Sequence, residues 1–467
     1  MKKATELEQF REELYQTFNN RADALMELVD AISSYPEARS VVEYSEAPCY
    51  RRSYSTISKA LDQMQVDKMA LPRLISRHLP QPKKRKFMLL GVDVTPQPRP
   101  YAYTLADRGM VYEPTVIKGN KPITIGHQYS TVCYLPEAEE GVTTSWVVPL
   151  LTSRVTTEQD KELVGTNQIA ALLEDKKLPF VGQLCVEVAD SSYSKPACLY
   201  KNRQHANLVS IARVRGNRTL YRQPTEEQKA QSGAGHPVWY GDAFKLSDDT
   251  TWREPDDTLT LTEQSRRGNT YRVELQAWHN LLMRGKRKPT PMPMHEHPFT
   301  LVRIVRYRKD DTVACKNPLW LLVIGPRRHE LSLADIYHAY GQRFDLEHFF
   351  RFGKQNLLLV RFQTPEDWRE ENWWQLVHIA YAQLWLARSI ATCLPRPWER
   401  NLPAYKQKLL SPSAVRRDFG RIIRQIGTPA APPKPRGISP GRPLGTKLTP
   451  RPKQKVIVKS LQQANSP

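Results

Sequence analysis

The sequence predicts an α/β protein with a helical N-terminal region, a mostly β insertion and a disordered basic C-terminal tail. Three observations carry this. Two almost continuous apolar runs, Phe87 to Thr95 and Gln183 to Asp190, have the length and character of central strands buried on both faces. Segments with helical spacing lie around them. A Gly/Pro/Asp-punctuated stretch rich in short strand signals, residues 223 to 330, interrupts the pattern.

From the N-terminus, residues 4 to 66 read as helical. Leu7, Phe10, Leu14 and Phe18, then Ala22, Leu25, Leu28 and Val29, recur at three- and four-residue spacing. The segment opening at Arg51-Arg52 reads either as a DNA-facing helix or as a solvated one. A basic, proline-punctuated run, Pro80 to Lys86, reads as a linker into the next domain. After it come the first apolar run, hairpin-like sequence at Tyr101 to Val116, a strand at Thr144 to Leu151 and a helix at Lys161 to Glu174. The second apolar run and a strand at Leu208 to Val214 follow. The insertion carries strand signals at Tyr271 to Leu275, Phe299 to Tyr307 and Leu319 to Ile324, and a basic loop from Arg284 to Lys288. Residues 333 to 357 read as one long helix and Glu366 to Cys393 as another, whose Trp368, Trp373, Trp374 and Trp385 suit packing. From Thr428 onward there are nine prolines, eight Lys/Arg and no acid, a composition unable to build its own core. Within it, Pro440-Gly441-Arg442-Pro443 reads as a minor-groove hook core or as part of a nonspecific basic arm.

The expected organisation is therefore a helical region at 1–80, a core at 81–222, the insertion at 223–330, a return to the core at 331–395, a helical region at 396–427 and the tail at 428–467. With 467 residues, 40% hydrophobic and 25% charged, the chain has ample material for a buried core. No apolar run approaches the ~20 residues of a membrane span, and the N-terminus lacks an apolar signal region. A cytoplasmic protein with no membrane partner is expected. Six scattered cysteines without a CxxC pair support neither a zinc ribbon nor a disulfide framework. His295 and His297 offer a metal pair without a third ligand at a familiar spacing. The formal charge of +21 favours a polyanionic partner.

Asp93 and Asp190 end the two apolar runs. A buried carboxylate at a strand end is costly unless paired or metal-bound, and ligands of α/β sheets gather at strand termini. Tyr340, Arg343, Glu347 and Lys354 stand at offsets of 0, 3, 7 and 14 residues. On one helix these fall at about 0°, −60°, −20° and −40°, a narrow stripe. The stripe either faces solvent or lines a cleft.

The pattern Tyr340-x2-Arg343-x3-Glu347-x6-Lys354 resembles the YREK signature of bacterial insertion-sequence DDE transposases. The strand at Leu319 to Ile324, the following Asp335-Ile-Tyr and the order Asp93, Asp190, insertion, Glu347 are similar too, over roughly residues 80 to 395. The resemblance implies a ribonuclease H-like mixed sheet flanked by helices. It implies that Asp93, Asp190 and Glu347 are the catalytic triad and hold two Mg2+ ions, with Mn2+ as a substitute. It further implies cleavage at transposon ends, strand transfer into target DNA by a cut-and-paste route, and in this group often a hairpin intermediate. Tyr340, Arg343 and Lys354 would hold DNA phosphates, and Trp320 would stack on a flipped base. Arg213, Arg215 and Arg218 would track the backbone or form a solvated strand end. Partners would be the terminal inverted repeats, the target DNA and a second copy in a homodimeric synaptic complex, on the bacterial nucleoid. Two other classes remain open: another ribonuclease H-like nuclease such as a resolvase, and a non-catalytic DNA-binding protein derived from a transposase.

Overall fold

The computed structural model describes residues 2–113, 122–137, 146–230, 237–265, 268–286, 291–391, 410–435, 441, 443–447 and 449–458. The chain forms two compact units. Residues 1–80, 94–164 and 345–467 make the first, and residues 81–93 and 165–344 the second.

The N-terminal region is helical as the spacing predicts: α1 (Lys2–Thr17), α2 (Ala22–Ser34), α3 (Tyr54–Gln63) and α4 (Ala70–Ser76). Leu7, Phe10, Leu14, Leu25, Leu28 and Val29 are all buried. Next come β1 (Met88–Pro98), β2 (Gly109–Tyr112), β3 (Ile123–Tyr134), β4 (Val148–Val155) and α5 (Lys161–Glu174). They are followed by β5 (Cys185–Ala189), α6 (Pro196–Asn202) and β6 (Leu208–Val214). β7 (Thr219–Tyr221) comes next, and residues 223–330, expected as the insertion, hold α7 (Glu226–Ala230), β8 (Ala243–Lys245), β9 (Asp257–Gln264), β10 (Thr270–Leu281), β11 (Phe299–Tyr307) and β12 (Leu319–Ile324). The chain then forms α8 (Leu333–Gln342), α9 (Phe344–Asn356), α10 (Asp367–Ala387) and α11 (Pro412–Ile426).

In the first unit β3 pairs with β2 and β4, and the later part of β1 lies beside β3. Gly126 permits that approach, since a Cβ there would stand 2.1 Å from the Gln97 carbonyl oxygen. Helices α4 and α10 pack on β4, and α2 packs against α3, α10 and α11. The fully covered α2 explains its run of buried residues on every face. Arg51 and Arg52 pair with the buried Glu27 and donate to the carbonyls of Ala430 and Ala431, so they hold the start of the tail. Farther on, the Gln454 amide donates to Tyr103 O (2.7 Å) and the Ile457 amide to Arg108 O (2.8 Å). The described tail residues form no helix or strand of their own, in keeping with their composition.

In the second unit the strand order is β1-β5-β6-β12-β11-β10-β9. The first part of β1 is parallel to β5 and β5 to β6, whereas β12, β11, β10 and β9 add antiparallel neighbours. Gly165 brings α5 close, because a Cβ would meet Val92 and Tyr193 within 2.7 Å. Helix α8 packs against β5 and β9. The mixed sheet flanked by helices, with β1 parallel to β5 and α5 leading into β5, is the ribonuclease H-like arrangement. Among the described residues no helix is long and apolar enough to cross a membrane.

The single helix expected over 333–357 is two. α8 ends at Gln342, and Arg343 turns back with its amide on Tyr340 O (3.1 Å), a three-residue bond in place of the four-residue ladder. Gly341, a weak helix former, immediately precedes the break.

Candidate active site

The strand register builds the site. β1 and β5 pair from Met88↔Cys185 to Gly91↔Val188. Two residues further, Asp93 comes level with Asp190 and projects from the same face, because side chains repeat every second residue. β5 and β6 pair up to Ala189↔Ala212, so the next step sets Arg213 level with Asp190. Asp93, Asp190 and Arg213 thus form a row across three adjacent parallel strands, just past the point where the pairing of β1 with β5 and of β5 with β6 ends. Val92, Ala189 and Ala212, just before them, are buried, whereas Asp93 and Asp190 are half-buried and Arg213 is exposed.

Asp190 also caps the 3-10 turn Ser191–Ser194. Its Oδ1 accepts from the Ser192 amide (2.8 Å) and Ser192 Oγ (2.6 Å), which orients the carboxylate. The end of α8 faces the row. Arg343 Nη1 stands 4.0 Å from Asp93 Oδ2, with its guanidinium over the Tyr340 and Phe344 rings. Burial holds the Tyr340 phenol above its ordinary pKa. The cations of Arg343 and Arg213 oppose that rise and the Asp190 charge adds to it. The phenol therefore stays a hydrogen-bond donor across the physiological range.

The predicted stripe divides at the helix break. Tyr340 and Arg343 belong to the second unit with Asp93, Asp190 and Arg213. Glu347 and Lys354 lie on α9 in the first unit, Glu347 exposed in the opening turn. Lys354 Nζ donates to Thr95 Oγ1 (2.6 Å) on the later part of β1. Among the described residues no three His, Cys, Asp or Glu side chains gather closely enough to hold a metal ion. The donor set itself suits a hard cation: carboxylate oxygens at adjacent strand ends, one of them oriented by a backbone amide.

Arg215 and Arg218 are exposed on the turn after β6. Trp320 is a correction. Its ring is 2% exposed and packs edge-on against Trp252 (5.3 Å) and beside Trp278 (5.9 Å) in the core under β12. Both faces are covered, so it is a core aromatic and not a platform for a base. It stands in a continuous apolar strand whose residues from Trp320 to Ile324 are all buried. The other tryptophans divide as well: Trp373, Trp374 and Trp385 are buried, whereas Trp368 is half exposed. His295 stacks on Trp239 (4.1 Å) and His297 lies against Tyr200 (5.5 Å). The described cysteines are all free, and Cys393 lies outside the described residues, as do Arg442 and much of the basic loop after Lys286.

Two residues escaped the sequence reading. Thr95, Lys354's partner, shows only as the polar residue two beyond Asp93. Tyr337, which ties α8 to the insertion, shows only as a tyrosine three before Tyr340.

A row of acidic strand ends facing a basic helix end, on a ribonuclease H-like sheet, defines a nuclease-type α/β enzyme. The chain belongs to the DDE superfamily endonucleases, whose family model matches residues 13–284, more than half of its length. Asp93, Asp190 and Arg213 lie inside that match, and the Tyr340–Lys354 segment lies beyond it. No curated protein matches the chain. Enzymes of this superfamily generally use divalent metal ions, and their substrate is DNA.

Proposed function

We propose that the chain is a DDE transposase of the bacterial insertion-sequence type, cutting transposon ends and joining them to target DNA. The observation that carries this is the row Asp93–Asp190–Arg213 on one sheet face with Tyr340 and Arg343 against it. Family membership and the YREK-like spacing support the same reading.

In this reading Asp93, Asp190 and Glu347 would hold two Mg2+ ions, with Mn2+ as a substitute, and a metal bound there would supply Lewis-acid stabilisation of charge for in-line displacement at phosphorus. Ser192 keeps the Asp190 carboxylate oriented. Arg343 binds a non-bridging phosphate oxygen pair, and its neighbour Tyr340 donates one hydrogen bond to the same phosphate. Lys354 adds a point charge, and Arg213, Arg215 and Arg218 follow the backbone away from the cut. A homodimer on DNA would join the two ends.

The test is cleavage of the element's own terminal repeats with and without Mg2+. Metal-dependent nicking followed by strand-transfer products is the expected result. Nicking without strand transfer would point to a resolvase-like nuclease. DNA binding with no cleavage would make the chain a non-catalytic derivative. A Glu347→Ala variant that cleaves at the wild-type rate would overturn the triad assignment.

A further inference from the structure

Helix α8 ends at the candidate site, and its middle is tied to the insertion by one hydroxyl. Tyr337 is buried, and its Oη donates to Glu263 Oε2 (2.7 Å). The same oxygen accepts from Arg306 Nε (3.1 Å) and Nη2 (2.6 Å). Arg306 and Glu263 close the triangle as an ion pair at 3.4 Å, with the guanidinium 5.5 Å from the Tyr337 ring centre. Glu263 lies on β9 and Arg306 on β11, so two insertion strands grip the helix at one point. The helix start is fixed separately, by the capping box of Ser332 and Asp335.

We propose that Tyr337 is a positioning residue through which the β insertion sets the placement of Tyr340 and Arg343 beside Asp190 and Asp93. Tyr340 stands three residues on, on the adjoining helix face, and Arg343 six residues on, at the helix end. Rotation or sliding of α8 therefore moves both. Charge-assisted hydrogen bonds are short and directional, and three converge on one phenol oxygen. An insertion anchored in this way gives the helix end a defined position, and a misplacement of ~1 Å in such groups can cost about 100-fold in rate. The inference rests on the proposed reading in one respect, that Tyr340 and Arg343 hold the strand being cut.

The test compares the full-length wild type with Tyr337→Phe, Glu263→Ala and Glu263→Gln. Three quantities are read: single-turnover cleavage of the terminal repeats in Mg2+, affinity for the same DNA, and hydrogen exchange of the α8 amides. Tyr337→Phe should cleave about 10- to 100-fold more slowly, bind DNA within about twofold of wild type, and exchange faster at 339–343 while β5 amides stay protected. Glu263→Gln, which keeps an acceptor, should recover most of what Glu263→Ala loses. Wild-type cleavage by Tyr337→Phe, or unchanged exchange in α8, would overturn the proposal. So would parallel loss of cleavage, affinity and melting temperature, which marks a purely structural role. A wild type that cleaves no DNA would instead overturn the transposase reading, while the exchange data would still decide whether the hydroxyl holds the helix.

Discussion

Two sets of charges in this protein are treated in opposite ways. In the first unit Arg11 and Asp30 are almost completely buried, joined by two hydrogen bonds, with Gln383 and the Gly427 carbonyl accepting from the same Nη1 and Nη2 groups. They tie α1 and α2 to α10 and the end of α11. Nearby, Glu370 is 0% exposed and collects His127, Tyr129 and Arg99. In the second unit Asp93 keeps a quarter of its side-chain surface open, and Arg213 is exposed. Dry charges require complete partnering, because an uncompensated one costs several kcal/mol. Charges at the water boundary can exchange water for a ligand at little cost. The buried networks hold helices together, and the row at the strand ends is placed to bind.

The largest effect that separates the two sets is expected from Asp190→Asn. Cleavage should fall at least about 1,000-fold, or ~4 kcal/mol of transition-state stabilisation. Melting temperature should hold or rise, since the amide oxygen can still accept from Ser192 and a negative charge beside Asp93 is gone. A large loss of melting temperature would show that this carboxylate is structural like Asp30. Arg11→Met should do the reverse, costing about 3–5 kcal/mol of stability in chemical denaturation by stranding Asp30. The double variant Arg11→Met with Asp30→Leu should recover much of that loss. A third test concerns Glu187, whose carboxyl burial pushes up to about 7, with the Ser210 hydroxyl working against the rise. The folded state then holds a proton that the unfolded chain releases near its ordinary value of 4.5. Stability should accordingly rise as pH falls from about 7 to 4.5, and above 7 the ionised group costs roughly 3 kcal/mol. Glu187→Gln should flatten that slope and be the more stable protein at pH 8; an unchanged slope in denaturation across pH would refute the assignment. The smallest effect is expected from Arg213→Ala. Affinity for DNA should drop by about 1 kcal/mol or less and the salt dependence of binding should lose about one unit of slope, whereas an unchanged slope would place Arg213 off the DNA path.

Much of the fold was legible in the chain. The strands Leu208–Val214, Phe299–Tyr307 and Leu319–Ile324 and the helix Lys161–Glu174 have the bounds that periodicity and flanking punctuation predict. The three strands are buried at most of their positions, as near-continuous apolar runs predict, so local sequence and tertiary environment agree. The break at Arg343 was not legible, because Tyr340 to Lys354 keeps a perfect helical spacing through it. Nor was the burial of Trp320: a tryptophan on a strand next to a functional helix reads alike whether its ring meets a base or two other tryptophans. Arg51 and Arg52 looked equally suited to phosphate and to solvent, and they are spent on Glu27 and the tail carbonyls.

By itself the sequence determined several of the strands, β6, β11 and β12 among them, and where two carboxylates interrupt the apolar runs, since these follow from side-chain transfer energies; it left β3 (Ile123–Tyr134) unread and set β4 at Thr144–Leu151 where Val148–Val155 forms. Only the tertiary structure decided that Asp93, Asp190 and Arg213 stand in one row, because this depends on the register of three parallel strands, the first of them about a hundred residues of chain from the second. It also decided that a single tyrosine hydroxyl joins the insertion to α8. A hydrogen bond reads only geometry, and no spacing along the chain encodes a meeting between residues 263, 306 and 337.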